Sequence, residues 1–549
     1  MTKRTGSGIS KLWGLLVLVS AMGLVSCDNP ILAKVQAAVK SASIPVISPQ
    51  GGTHKNSCAI TLSCSDTKAA IYYTTDGSDP TTSTAAVAYS APINLNYGCT
   101  LKSATKSDHG WSSISEAAFS FTYEGVLDPA FNPKQHSGVA KVSSQGDYRF
   151  WTWYSAALQS DGKIVAIGSA CKANPSDPEY DYTYICVARF TGSGELDTAF
   201  GNNGYVIFED DNYRYSEGRS IAVDSKDRIY VQGYVTDDKT WESGPVHGIV
   251  GRLLPDGAID TNYGQNGGYQ TPVTDGIAAF PYYVSRSLAI DPSTGESFFT
   301  LGSTLYKLDA SGQLDTGFGA SIGKSGSIST QYLDGLMAGG TGDLLGLRDI
   351  YSIVRTNEGH ILATMYKSGS SLIVADTTSN GEPSNWYIEP PSFGGLVGKK
   401  PSDVASFSDG SILILARGIL NENRNPVDAA YTLWKFDSTH SSPLEGWGQT
   451  ADSGTILDYD DYNATPYSVA VLMDGSFAVG GRTIADSGDD APRYWTLARL
   501  SSKGAVLSYT VDRTNFETGT IRFILPLSDG KFLAVGSSNG GATIARYWP

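Results

Sequence analysis

The 549 residues carry 40 Lys and Arg against 55 Asp and Glu, a net charge of −15. That balance argues against a nucleic-acid binder, because phosphate recognition needs a dense basic surface. With 61 Gly, 31 Tyr and 10 Trp but only 17% charged residues, the chain is too aromatic for disorder and suits short strands joined by tight turns.

The first thirty residues read as an address. Lys3, Arg4 and Lys11 precede an apolar run from Leu12 to Leu24, followed by Leu24-Val25-Ser26-Cys27. A basic head and a short apolar stretch mark a secretory signal rather than a membrane span. Leu-Val-Ser-Cys resembles the bacterial lipoprotein box, which implies cleavage after residue 26, diacylation of Cys27 and a tether over residues 27–43. Two or three acyl chains anchor stably. The expected location is therefore the bacterial envelope: the outer membrane, its periplasmic face or the cell surface.

Residues 44–123 alternate short strand candidates with turns. Cys58-Ala-Ile-Thr-Leu-Ser-Cys64 has period two, Ala70-Ile-Tyr-Tyr-Thr-Thr75 is rich in β-formers, and Leu101 and Ala104 lie in a later run before Trp111. Asp76 and Asp79 read as turn residues rather than a catalytic carboxylate pair. Ile71-Tyr-Tyr-Thr-Thr-Asp-Gly-Ser-Asp-Pro-Thr81, with Pro92-Ile93 and Gly110-Trp111, resembles the chitobiase/β-hexosaminidase C-terminal domain. The resemblance implies an immunoglobulin-like β-sandwich and carries no catalytic residues.

The region 124–549 repeats. Leu158-Gln-Ser-Asp161-Gly162-Lys-Ile-Val-Ala-Ile-Gly168 matches Val223-Asp-Ser-Lys-Asp227-Arg-Ile-Tyr-Val-Gln-Gly233, and equivalents recur around Gly295, Gly359, Gly410, Gly475 and Gly530. A second element follows in the early units: Arg189 with Leu196-Asp197-Thr-Ala-Phe200-Gly201, Arg252 with Ile259-Asp260-Thr-Asn-Tyr263-Gly264, and Lys307 with Leu314-Asp315-Thr-Gly-Phe318-Gly319. The fourth unit lacks it and the fifth keeps only Leu444-Glu-Gly-Trp447-Gly448. These repeats resemble the delta-60 repeat family, which implies β-propeller blades and carries no catalytic residues. Each unit holds four strand candidates, roughly 154–159, 163–169, 184–190 and 204–208 in the first, with Asp161-Gly162 as a two-residue hairpin. Such sheets need radial neighbours to bury both faces. The fold class is thus all-β: a small sandwich followed by a seven-bladed propeller of four-stranded blades. The last unit stops before its second element, which stands instead at Leu127-Asp128-Pro-Ala-Phe131. Closure therefore requires Val139–Val142 to pair near Ile544.

The recurring cation and the Asp eight residues later read as an architectural ion pair, and Phe200, Tyr263 and Phe318 as packing between blades. Strand direction puts these repeat motifs on one face. The variable loops share the other, with Trp151, Trp153, Tyr180, Tyr182, Tyr213, Trp241, Tyr282, Tyr459 and Tyr462 as candidate ligand-binding residues. Aromatics mixed with carboxylates suit a glycan or peptide ligand; solvated rim loops are the bland alternative. Cys171 and Cys186 are a candidate disulfide across one hairpin, while Cys64 reads as a buried free thiol. Gly319-Ala-Ser321-Ile-Gly323 matches the nucleophile elbow but lacks its strand–turn–helix setting, and residues 320–349 read as a mobile insertion. Glu209-Asp210-Asp211-Asn212 and Asp486-Ser-Gly-Asp-Asp490 lack full calcium-loop spacing, and the six single His form no metal site. No cofactor is expected. The leading functional reading is a non-enzymatic, lipid-anchored binding or scaffolding module. A carbohydrate-active hydrolase or lyase is the alternative, resting on fold analogy.

Overall fold

In the computed structural model, residues 42–548 are described apart from short segments. The omitted segments of four residues or more are 177–180, 237–245, 271–287, 332–346, 389–395, 421–428, 439–442, 450–453, 458–462 and 485–490, and 211–213 is omitted as well. Cys27, Tyr180, Tyr213, Trp241, Tyr282, Tyr459, Tyr462 and the cluster 486–490 lie outside the described residues. The chain divides into two units, Met1–Tyr123 and Glu124–Pro549.

In the first unit, period-two alternation makes Cys58–Ser63 a strand whose Ile60 and Leu62 point inward. It lies between Val46–Ser48 and Ile93–Leu95 in one sheet. A second sheet orders Gly52–Lys55, Ser115–Thr122, Cys99–Ser107, Ala70–Thr74 and Val87–Ala88, with Gly110–Trp111 on its side. Ile47, Ile60, Leu62 and Leu95 from one sheet meet Leu101, Ala117 and Phe119 from the other, the core of an immunoglobulin-like sandwich. Cys64 is a free thiol but half-exposed, because it stands one residue beyond the strand that would have turned it inward.

Apart from Ser144–Gln145, a two-residue strand on the edge of the first, the described strands of the second unit form seven four-stranded antiparallel groups, the first two joined by a single bridge between Thr183 and Tyr215. In the first group the strands are Tyr148–Leu158, Ile164–Lys172, Tyr182–Phe190 and Tyr205–Phe208. Each first strand packs on the first strand of the next group: Tyr148–Leu158, Tyr215–Val223, Leu288–Ile290, Leu347–Arg355, Leu396–Ser406, Asn463–Val471 and Thr520–Pro526. The last packs back on Tyr148–Leu158, so these strands are the hub of a closed ring. Both faces of each sheet are covered, and strands such as Ile164–Lys172 are apolar without alternation. Ile164 and Ala166 face the closing sheet, and Val165 and Ile167 the second. Ser327–Ser329 is the fourth strand of the third sheet, so part of the expected insertion is blade; pairing with Thr304–Leu308 takes it up. The Asp161-Gly162 hairpin has a three-residue loop: Gln159 N–H donates to the Lys163 carbonyl at 2.9 Å, and Gly162 takes the left-handed φ of 80°. In the second four-stranded group Asp227 fills that left-handed position, at φ 59°, and accepts the Ser160 N–H at 2.7 Å.

The ends of the unit meet as their missing pieces require. Val139–Val142 pairs antiparallel with Gly541–Tyr547, Ala140 opposite Ile544, and completes the last sheet. The repeated second element is a staple between blades. Arg189 Nε bonds Asp197 at 2.8 Å and its guanidinium lies 4.7 Å from the Phe200 ring centre. Phe200 seats against Gly257 of the next sheet, where a Cβ would stand 2.8 Å from the ring, and Gly201 N–H donates to Asp256 O at 2.9 Å. Arg252, Asp260 and Tyr263 repeat this on Gly312, and Lys307, Asp315 and Phe318 on Gly381. Trp447 takes the role on Gly504 without the ion pair. At the closure the staple is split between the ends: Arg546 Nε bonds Asp128 at 2.8 Å, and Phe131 seats on Gly194 of the first sheet.

Candidate functional site

The first strand begins six residues earlier than its predicted start and carries two register shifts, which leave Trp151 and Tyr154 unpaired. Strand alternation and these shifts separate the two candidate tryptophans. Trp151 is 57% exposed, whereas Trp153 is fully buried, 6.1 Å from Phe150 and edge-on to Phe190 at 6.3 Å between ring centres. Trp153 is therefore a core residue and no ligand contact; the neighbouring sheet covers its ring. Tyr182, at the start of the third strand, is half-buried with Arg214 5.2 Å above its ring and donating to its hydroxyl at 2.9 Å. Asp181 pairs with Arg149 beside it, and Lys172 bridges to Glu209 at 3.3 Å while lying over Tyr148. Of the candidate ligand-binding residues, the described ones thus leave one exposed indole, Trp151, and one half-buried phenol under a cation, Tyr182.

The candidate disulfide is absent, and Cys171 and Cys186 are free thiols. The register sets Cys171 opposite Thr183 and Cys186 opposite Gly168. The thiols are three pairs apart and point to opposite faces of the sheet, outside bridging geometry. Burial pushes the Cys171 thiol up to about 12. Among the described residues no group of three or more His, Cys, Asp or Glu could hold a metal ion, and no helix is long and apolar enough to cross a membrane. Ser321 lies in a single 3₁₀ turn, Ala320–Ile322, far from a nucleophile elbow's setting.

The hub holds a cluster that the sequence reading missed. Six of the first strands have a one-residue bulge at matching register, with Tyr154, Arg219, Tyr351, Ser402, Tyr467 and Arg522 as the extra residues. Four of them stack in consecutive sheets. Arg522 lies 4.5 Å from the Tyr467 ring centre and 5.4 Å from that of Tyr154, and Arg219 lies 4.2 Å from Tyr154. Glu217 accepts from both Tyr154 Oη and Arg219 Nη2. Burial, and then the Glu217 charge, push the Tyr154 hydroxyl above its ordinary range, while Arg219 and Arg522 oppose them. Asp403 is also at the hub, but its carboxylate accepts from Ser352 at 2.8 Å, Ser468 at 3.2 Å, and the amides of Val404 and Val469 at 2.9 and 3.0 Å.

Comparison with known proteins bears on the first unit. Residues 49–116 match the chitobiase/beta-hexosaminidase C-terminal domain. Within this chitobiase-type domain Asp76 and Asp79 are spent on their own turns, accepting from Ser78 and Thr81 amides at 2.9 and 2.8 Å. No curated protein matches the chain. Among solved structures, it is similar to a protein of unknown function from Dyadobacter fermentans at 10% identity and TM-score 0.37, over 74% of this chain and 96% of that one. It is also similar to the GH93 alpha-L-arabinofuranosidase of Fusarium graminearum, at 7% identity and TM-score 0.34 over 75% and 98%. Likeness at this level transfers no activity; the ring rests on this chain's own strand pairings.

The chitobiase-type domain showed its signature as a contiguous string. The hub did not, yet a signal was present. Tyr154, Ser402, Tyr467 and Arg522 each stand seven residues before a turn aspartate (161 − 154, 409 − 402, 474 − 467, 529 − 522). The glycine ending several repeats is its partner: a Cβ on Gly168, Gly233, Gly481 or Gly536 would stand 2.1, 2.3, 2.3 or 1.9 Å from a carbonyl of the facing bulged strand.

Proposed function

We propose that this chain is an exported, lipid-anchored envelope protein whose ring is a non-enzymatic recognition module for a glycan or a protein. The observation that carries the reading is Trp151: an indole 57% exposed on a hub strand, held out by a bulge on the face that also bears Tyr182 and Tyr148. An aromatic plate on rigid secondary structure suits stacking on a sugar ring or a peptide side chain at little entropic cost. The polar rim around it (Arg149, Asp181, Lys172 and Glu209) supplies orienting groups. Membrane attachment rests on the Cys27 motif and the chitobiase-type domain serves as spacer.

The test is a glycan and peptide array probed with the fragment beginning after Cys27. Specific binding that Trp151→Ala abolishes without changing thermal stability supports the reading. Release of reducing sugars from a bound polysaccharide would replace it with a carbohydrate-active enzyme.

A further inference from the structure

The hub concentrates positive charge in a chain of net charge −15. Arg219 is 5% exposed and has Glu217 as its carboxylate. Arg522 has none among the described residues, and its buried Nε meets no acceptor; the Nε of Arg219 lacks one as well. Glu217 is shared between Tyr154 and Arg219, and Asp403 is filled by two hydroxyls and two amides. One available carboxylate thus faces two guanidiniums. A buried cation without a counter-ion is costly. Tyr154 and Tyr467 offset part of that cost through their π faces. Contact with those rings leaves the in-plane N–H donors of Arg522 open, and a planar fork of donors matches a carboxylate. Arg522, Tyr154 and Glu217 are only half-buried, so solvent reaches them.

We propose that Arg522, flanked by Tyr154 and Tyr467 and backed by Arg219, anchors a binding site for a small carboxylate-bearing ligand at the hub of the ring. The site is distinct from the Trp151 face and does not depend on it. Glu217 positions Tyr154 and Arg219 rather than touching the ligand, since its own charge repels a second carboxylate.

Calorimetric titration of the full chain in detergent at low salt, with D-glucuronate as probe and D-glucose and inorganic sulfate as comparators, tests this. Saturable glucuronate binding, absent for glucose, is expected to weaken at least tenfold in Arg522→Gln. The thermal midpoint of the ligand-free variant should not fall, because removing the buried charge that lacks a carboxylate offsets the lost contacts with the Tyr154 and Tyr467 rings. Arg522→Lys keeps the charge and removes the planar fork. Tenfold weaker glucuronate binding by that folded variant supports the site even where Arg522→Gln does not fold. Undiminished binding in Arg522→Gln and Arg522→Lys, equal binding of glucose, or binding of sulfate in place of glucuronate overturns the proposal.

Discussion

Removing the Asp128 carboxylate should open the ring at its seam. Asp128 is fully buried and accepts from Arg546 Nε at 2.8 Å, Lys531 Nζ at 3.1 Å and the Ala130 amide at 3.0 Å. Asp128→Ala leaves a guanidinium 12% exposed without its carboxylate, whereas Lys531 keeps Asp529 at 3.2 Å. Breaking one side of a buried pair costs about 3–5 kcal/mol. With Lys531 still partnered, the lower end applies, roughly a hundredfold in the folded-to-unfolded ratio. The paired control is Asp529→Ala: that carboxylate is 52% exposed, and its removal should cost under about 1 kcal/mol. Urea unfolding followed by tryptophan fluorescence measures both. Limited proteolysis should cut around residues 139–142 faster in Asp128→Ala only. Equal midpoints for the two variants, or unchanged cleavage, would refute the claim that the split staple holds the ring shut.

Further outcomes follow from the same geometry. Trp153→Ala should cost about 3–5 kcal/mol as a core truncation, while Trp151→Ala should stay within about 0.5 kcal/mol; the two thermal melts distinguish a core indole from an exposed one. Gly536→Ala should destabilise by about 1–3 kcal/mol, since its Cβ would stand 1.9 Å from the Thr520 carbonyl; a wild-type midpoint would deny the bulge its stated requirement. Cys171 and Cys186 should resist thiol reagents near neutral pH until the protein unfolds, and mass spectrometry without reductant should find no bond between them. Tyr234, Tyr263 and Tyr547 have hydroxyls raised by burial. Their contribution is complete below the ordinary phenol range, about pH 10, and is lost as pH rises above it, because only the unfolded chain ionises there. Absorbance at high pH should therefore show these phenols titrating together with unfolding. Incorporation of labelled palmitate should vanish in Cys27→Ala.

Much of the architecture was legible because its determinants are local. Strand alternation, turn residues and the Leu-Asp-x-x-Phe-Gly string are short and repeat, and the absent last copy pointed to Val139–Val142. What stayed hidden depends on register. Trp151 and Trp153 share a parity in sequence, and only the bulge between Phe150 and Thr152 sends one outward and the other into the core. The second bulge, between Trp153 and Ser155, and its counterpart between Ile521 and Phe523 explain the hub: Tyr154 and Arg522 lie 368 positions apart (522 − 154) yet share one stack. Cys171 and Cys186 looked bridgeable because a hairpin brings its strands together, but spacing does not reveal which residues face each other.

The split seam has a consequence for biosynthesis. Val142 lies opposite Ala542, so the strand made first waits for about 400 further residues before its partner exists. At about 5–20 residues per second that is roughly 20–80 s of translation. Throughout that interval the growing array has open edges at both ends, each able to capture a neighbouring polypeptide. The circle is therefore completed only as a late event, after Gly541–Tyr547 has emerged, and a truncation before Gly541 leaves Val139–Val142 without its pairing strand.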